Sequence, residues 1–292
     1  MFAQQLVNGL MLGSIYVLVG VAFTMTIGVL NFLNFSIPAI FMLGGMVSWG
    51  FIALAGLPWP VGIFLGFLCG GVASLVVERF TYRWLKTSHV DVPLISSVGF
   101  LVLFENLIIL HMGSSIQRFP TPFADANIRT MGIVVSIPQL CALTITIALV
   151  ILLHGILRRT HLGRSLRAIA ESPDTAVLLG IDVNRIVPAL FLISGLFTAL
   201  GGILFAVSYM QVSPFMGNEV ALKGVAAMII GGMGNIWGAV LGGLVIGMIE
   251  ALSISFFGGG MAEVIIYAAL MIFLLAKPTG LFGDRGIRMQ RV

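Results

Sequence analysis

No aspartate, glutamate, lysine or arginine occurs before Glu78, and the whole chain of 292 residues carries 15 basic and 11 acidic side chains. So little charge, set against 59% hydrophobic residues and a mean hydropathy of +1.12, excludes a freely soluble domain, because one aqueous core cannot hide that much apolar surface. Cysteine is scarce too. Cys69 and Cys141 fall in separate apolar runs, without metal-ligand spacing, and read as small packing residues. Familiar catalytic signatures are missing: there is no G-x-S-x-G elbow, no H-E-x-x-H helix and no G-x-x-x-x-G-K-S/T phosphate loop. No aspartate lies inside an apolar run to build a carboxylate pair. These absences argue against an enzyme and leave no expected cofactor on this chain. The net charge of +4 belongs with membrane topology rather than with nucleic acid. The start of the chain lacks a basic n-region and a small-residue cleavage site, so residues 5–28 are expected to be a retained span.

What is present instead is a series of apolar runs, near residues 5–28, 37–56, 60–80, 94–111, 139–157, 187–209, 224–254 and 261–276. A helix of about 20 apolar residues crosses a hydrocarbon core of about 30 Å. The fold class is therefore an all-α polytopic membrane protein with eight to nine spans, a single transmembrane domain over residues 1–292. Basic residues are unevenly placed. Arg79, Arg83 and Lys86 follow the third run, Arg158, Arg159, Arg164, Arg167 and Arg185 the fifth, and Lys277, Arg285, Arg288 and Arg291 the last, whereas the 112–138 loop has only Arg118 and Arg129. This puts the 158–187 loop and the tail in the cytoplasm and the 112–138 loop outside.

Eight crossings give the tail the wrong parity. The 224–254 run is long for one span, roughly 46 Å as a helix, and "GGMGN" at 231–235 interrupts it. It is expected to be two pieces, with the amino terminus outside. A second break at "NFLNFSIP", 31–38, leaves that end open. Glycines at four-residue intervals, Gly62, Gly66 and Gly70 and again Gly234, Gly238 and Gly242, point to two related halves.

Ionisable groups in or beside spans are Glu105, Lys223, Glu250 and Glu263. Buried charge is costly, so each is a functional candidate. The last three lie near run ends and read first as interfacial, whereas Glu105, beside Asn106, is the deepest and equally a path residue or a structural partner. Asn31 and Asn34 share a helix face, Ser36 adds a hydroxyl, and Pro38 removes a backbone donor. A chain interrupted there needs polar partners at membrane depth, which suits a small polar solute, although a helix cap accounts for the same residues. Gly231 and Asn235 mark the other break. The polar stretch Arg158–Arg185 carries its own helix signals: Ser172 to cap, Pro173 for the first turn, Asp174 for the positive end of the dipole and Gly180 to stop.

Within that stretch, "GRSLRAIAESPDTAVLLGIDVNR" resembles the cytoplasmic coupling loop of bacterial ABC importer permeases, specifically the branched-chain amino-acid permease family, which includes urea and short-chain amide permeases. The resemblance extends through "NGLMLGSIYVL", "VERFTYRWL", "SPFMGNEVALKGVAAMIIGGMGNIWGAVLGGLVIGMIE" and "KPTGLFG". It implies a permease subunit in the bacterial cytoplasmic (inner) membrane, working with a second permease subunit, cytoplasmic ATPase subunits that bind ATP and magnesium, and an external solute-binding protein. It also implies that Arg164, Arg167, Glu171, Ser172, Asp174 and Gly180 belong to the surface docked on the ATPase. The solute path is expected at Asn31, Asn34, Ser36, Pro38, Glu105, Gly231 and Asn235, surrounded by membrane lipid. One departure bears on the solute: where the family reads N-F-A-H-G, then an acid, then M-L-G, this chain has Ile37, Pro38 and Ala39 in place of the histidine, glycine and acid. Amino acids are the first solutes to consider, urea or amides the alternative. An ion-coupled secondary carrier is the rival from another class, and a membrane scaffold without transport the third reading.

Overall fold

The structure, a computed structural model, describes residues 2–84, 91–122, 127–130 and 133–283. Lys86, Arg285, Arg288 and Arg291, part of the basic pattern that orients the chain, lie outside the described residues. Helix α1 runs Phe2–Leu30, α2 Ile37–Trp49 and α3 Trp59–Val77, the last two continuing as π-helical turns Gly50–Leu54 and Glu78–Arg83. Then come α4 (Asp91–Met112), β1 (Gln117–Arg118), β2 (Asn127–Thr130), β3 (Ile133–Ser136), α5 (Ile137–Arg159), α6 (His161–Glu171) and α7 (Pro173–Leu178). The chain continues with α8 (Val183–Tyr209), β4 (Gln211–Val212), α9 (Met216–Gly231), α10 (Ile236–Phe257) and α11 (Gly259–Ala276). Proline sits in the first turn of α2, α3, α5 and α7, where its missing N–H costs nothing.

Among the described residues, eight helices are long and apolar enough to cross a membrane; α9, at 16 residues, is shorter and is not one of them. The 224–254 run is indeed divided, but α9 begins at Met216, eight residues ahead of the run's apparent start. The turn between α9 and α10 needs Gly232 and Gly234, both at positive φ (104° and 89°). Asn235 then caps α10, its Oδ1 accepting from Gly238 N at 3.2 Å. The tail folds back on this hairpin: Leu281 N donates to Ile230 O at 2.8 Å and Phe282 N to Gly231 O at 3.0 Å, satisfying carbonyls at the end of α9.

One end of the bundle gathers the end of α1, the end of α5, α6, and the starts of α8 and α10 around a single cavity. Residues 277–283 join it through the α9 hairpin. This is the arginine-bearing end. At the other end Gln4, near the start of α1, exchanges two hydrogen bonds with the backbone of Val134 in β3. The Asn31–Pro38 break separates α1 from α2 and bisects neither.

The two halves are built alike and run in opposite directions. Among the described residues, Asn31 and Met210 are the non-glycine positions at positive φ, 55° and 56°. Each ends a long helix, α1 or α8, and is followed by a short non-helical link that carries a serine with a proline within two residues of it. From each, the next helix begins at the same interval, at Ile37 and at Met216. Helix α1 packs on α9 and α10, and α8 packs on α2 and α3, so each half clasps the other. The glycine match is shifted by one step from the sequence expectation: Gly62 and Gly66 face Ile52 and Ser48 of α2 and its π-helical continuation, as Gly238 and Gly242 face Gly231 and Ala227 of α9. Gly234 instead belongs to the turn.

Candidate functional site

The interrupted segments meet deep in the bundle. A Cβ on Gly217, in the first turn of α9, would lie 2.0 Å from the carbonyl oxygen of Pro38, in the first turn of α2. Phe41, one turn on in α2, packs with Leu18 from the middle of α1 around Gly201. Two helix N-termini, each the positive end of a helix dipole, therefore converge at mid-depth. The residues ahead of α2 are local supports. Asn31 is exposed at the end of α1. Asn34 is buried, and its Oδ1 accepts from Ser36 N at 3.1 Å and Ser36 Oγ at 2.7 Å, which holds the turn. Its Nδ2 is buried without a hydrogen-bond partner among the described residues.

Glu105 comes to the same place from α4. Its Oε1 accepts from Asn218 Nδ2 at 2.6 Å, in the first turn of α9. Beside Asn218, Phe215 is 47% exposed and Leu222 56% exposed, and Glu219 is exposed between them. A carboxylate bare at this depth does not face hydrocarbon; this face of α9 meets water or another polypeptide. Glu219 is absent from the sequence candidates, because the apolar run begins only at 224. The Ser213–Pro214 pair, which echoes Ser36 and Pro38, is the available signal. Of the other path candidates, Gly231 and Asn235 sit at the arginine-bearing end and build the α9–α10 turn, away from Pro38 and Glu105.

The interfacial reading of Lys223 and Glu250 is corrected. Both are nearly buried, at 8% and 7% exposure, and Lys223 Nζ lies 2.5 Å from Glu250 Oε1. Tyr16 of α1 donates its hydroxyl to Glu250 Oε2 at 2.6 Å, and Lys223 donates to the Tyr16 oxygen at 3.3 Å. The three groups pin α1, α9 and α10 together at the middle of α1. Every charge has its partner, so the cluster is a satisfied network and not an open binding site.

At the arginine-bearing end α6 is capped by Thr160, whose Oγ1 accepts from Gly163 N at 3.4 Å. Glu171 closes α6, and Ser172 turns the chain and caps α7, accepting from Thr175 N at 3.3 Å. Asp174 lies in the first turn of α7. Gly180 stops it at φ 82°, and Gly180 N donates to Val177 O at 2.9 Å. Arg164 and Arg167 are exposed on α6. The α7 helix presents an unexpected apolar tip: Val177, Leu178 and Leu179 are 55%, 86% and 73% exposed. Three adjacent large hydrophobic side chains on a polar loop need a partner.

The family described as branched-chain amino acid transport system / permease component matches residues 5–275. The chain is 32% identical over 294 residues to the high-affinity branched-chain amino acid transport system permease protein BraD of Pseudomonas aeruginosa, a match spanning 97% of this chain and 96% of that one. It is 32% identical over 304 residues to the corresponding permease LivH of Escherichia coli K12, with the same coverage of 97% and 96%. The fructose import permease FrcC of Rhizobium meliloti is 27% identical over 240 residues, 74% of this chain and 61% of that one. Among solved structures, PsaBC from Streptococcus pneumoniae in complex with Fab aligns over 96% of this chain and 93% of that one, with a TM-score of 0.50 at 13% identity, a likeness of fold alone.

Proposed function

The chain belongs to the branched-chain amino-acid transport permeases, membrane subunits of ATP-binding-cassette importers, and on that premise we propose that it passes a small zwitterionic amino acid along the face formed by α4 and the start of α9. The observation that carries this reading is the exposed carboxylate of Glu219 beside the Glu105–Asn218 pair. Acidic side chains favour a solute's ammonium group, and the nearby helix N-termini favour its carboxylate. Phe215 and Leu222 offer apolar surface for a branched side chain. A neutral urea or amide makes no use of two acids, which ranks it second. Acids at mid-depth also suit an ion-coupled carrier, but family membership and the apolar tip of α7 favour coupling to an ATPase. A second permease subunit opposite this face closes the path, and an external solute-binding protein delivers to it.

The arginine-bearing end is the cytoplasmic one in the bacterial inner membrane, and α7 is the element seated on the ATP-hydrolysing partner. Leu178 is its most exposed apolar side chain and the expected anchor. In importers reconstituted with their ATPase and binding protein, Leu178→Asp is expected to lower solute-stimulated ATP hydrolysis and uptake together, by roughly tenfold or more. Glu219→Gln is expected to lower uptake while leaving ATPase assembly intact. Normal uptake by assembled Glu219→Gln importers would remove the acidic face from the path, and normal coupling in Leu178→Asp would remove α7 from the ATPase contact.

A further inference from the structure

At the arginine-bearing end, the last turn of α5, the first turn of α10 and helix α6 surround two adjoining depressions. The outer, about 480 Å³, is lined by His154, Leu157, Arg158, Arg167 and Trp237. The inner, about 280 Å³, shares four of these residues and continues between the spans past Met25, Val29 and Leu190. The mouth is cationic and rich in donors, and the depth is largely apolar.

The donors are poised rather than spent. An indole N–H only donates, so the 3.1 Å contact from Trp237 Nε1 to His154 Nδ1 makes Nδ1 the acceptor and leaves the imidazole proton on Nε2. Arg167 gives one N–H to the Leu157 carbonyl near the end of α5 at 2.5 Å. The rest of its five-donor fork is uncommitted to carboxylate: among the described residues neither Arg158 nor Arg167 has one within 4.0 Å. The crossing is tight because Gly163 of α6 has no side chain; a Cβ there would lie 2.0 Å from the Leu157 oxygen.

We propose that these residues bind the phosphate of an anionic phospholipid headgroup, with an acyl chain entering the inner depression. Basic pockets between spans on the cytoplasmic side suit such headgroups, and tryptophan favours that interfacial depth. Free phosphate or an acidic peptide would use the arginines but has no use for an apolar slot between α1, α5 and α8. The proposal shares the orientation proposed above and is independent of the solute.

The test takes assembled importer from vesicles of equal phosphatidylglycerol and phosphatidylcholine and counts copurifying lipids by mass spectrometry. Phosphatidylglycerol is expected to be enriched about tenfold or more, given two arginines at a membrane surface. Arg158→Gln with Trp237→Leu should bring the two lipids to parity. Arg185→Gln should not, because Arg185 is paired with Asp182 at 3.0 Å outside the depressions. Enrichment that survives the double substitution overturns the proposal, and so does its loss to millimolar inorganic phosphate, which would mark a free-anion site. If the double variant does not assemble, brominated lipids decide with the native chain. Stronger tryptophan quenching by the brominated phosphatidylglycerol supports the site, and equal quenching by both lipids rejects it.

Discussion

Glu250→Gln is expected to destabilise the membrane domain by about 3–5 kcal/mol, the usual cost of removing one partner from a buried ion pair. Lys223 would keep its charge at 8% exposure with only neutral partners, the new glutamine amide and the Tyr16 hydroxyl at 3.3 Å. Lys223→Met should cost a similar amount by stranding the carboxylate. The triple variant Tyr16→Phe, Lys223→Met, Glu250→Leu should recover most of the loss, because nothing polar is then left unpaired and the replacements are of comparable size. Thermal unfolding of purified protein in detergent measures all three. Single variants as stable as the parent would mean that the pair is not buried as described. A triple variant as unstable as the singles would mean that the charges do more than satisfy each other.

These groups escape a reading of the sequence for a physical reason. Lys223 and Glu250 look like span-end residues when the 224–254 run is taken at face value. They meet because α9 and α10 form an antiparallel hairpin about the Gly232–Asn235 turn, and Tyr16 arrives from a helix more than 200 positions away. Nothing local announces such a register. The same misplacement hides Glu219: the apolar run starts only at 224, and the Gln211–Val212 strand that leads into α9 is set by its pairing with Gln117–Arg118, far away in the sequence. By contrast, local chemistry is legible where it acts locally. The Ser172 cap, the first-turn proline and the Gly180 stop of α7 follow from backbone geometry, and the apolar runs mark the spans. The apolar tip at Leu178 and Leu179 is in plain view as letters, but its exposure depends on how α7 stands off α8. At Asn34, the letters fit a cap and a path residue equally well. The structure gives its Oδ1 to the turn ahead of α2, while the unpartnered buried Nδ2 keeps a polar donor beside the convergence of α2 and α9.

Gly44→Val is expected to abolish the folded protein, and the reason lies in how the opposed halves differ. By the register of the two halves, Gly44 of α2 stands where Lys223 stands in α9, and Gly195 of α8 stands where Tyr16 stands in α1. Ser74 of α3 takes the place of Glu250. One half is pinned by charge, and the other by contact between backbones. A Cβ on Gly44 would lie 2.2 Å from the Ala199 carbonyl oxygen and 2.7 Å from its Cα, and one on Gly195 would lie 2.3 Å from Ser74 Cβ. The obstacle at Gly44 is main chain, so no rotamer relieves it, and α2 must leave α8. Overpacking of this kind costs about 1–3 kcal/mol when side chains can yield and more when they cannot. Small residues that bring helices this close are a principal source of helix association within a membrane, so the loss cannot be offset by repacking nearby. Gly99→Val supplies the control: Gly99 is also a helix-interior glycine, but it is exposed on α4, and a Cβ placed there would meet nothing within 4 Å. It tests propensity without collision. Size-exclusion profiles of the two variants, expressed in parallel, should show Gly99→Val running with the parent and Gly44→Val lost to aggregate. A monodisperse Gly44→Val protein would show that α2 and α8 are not in backbone contact, and with that the clasp between the two halves would fail as an account of the fold.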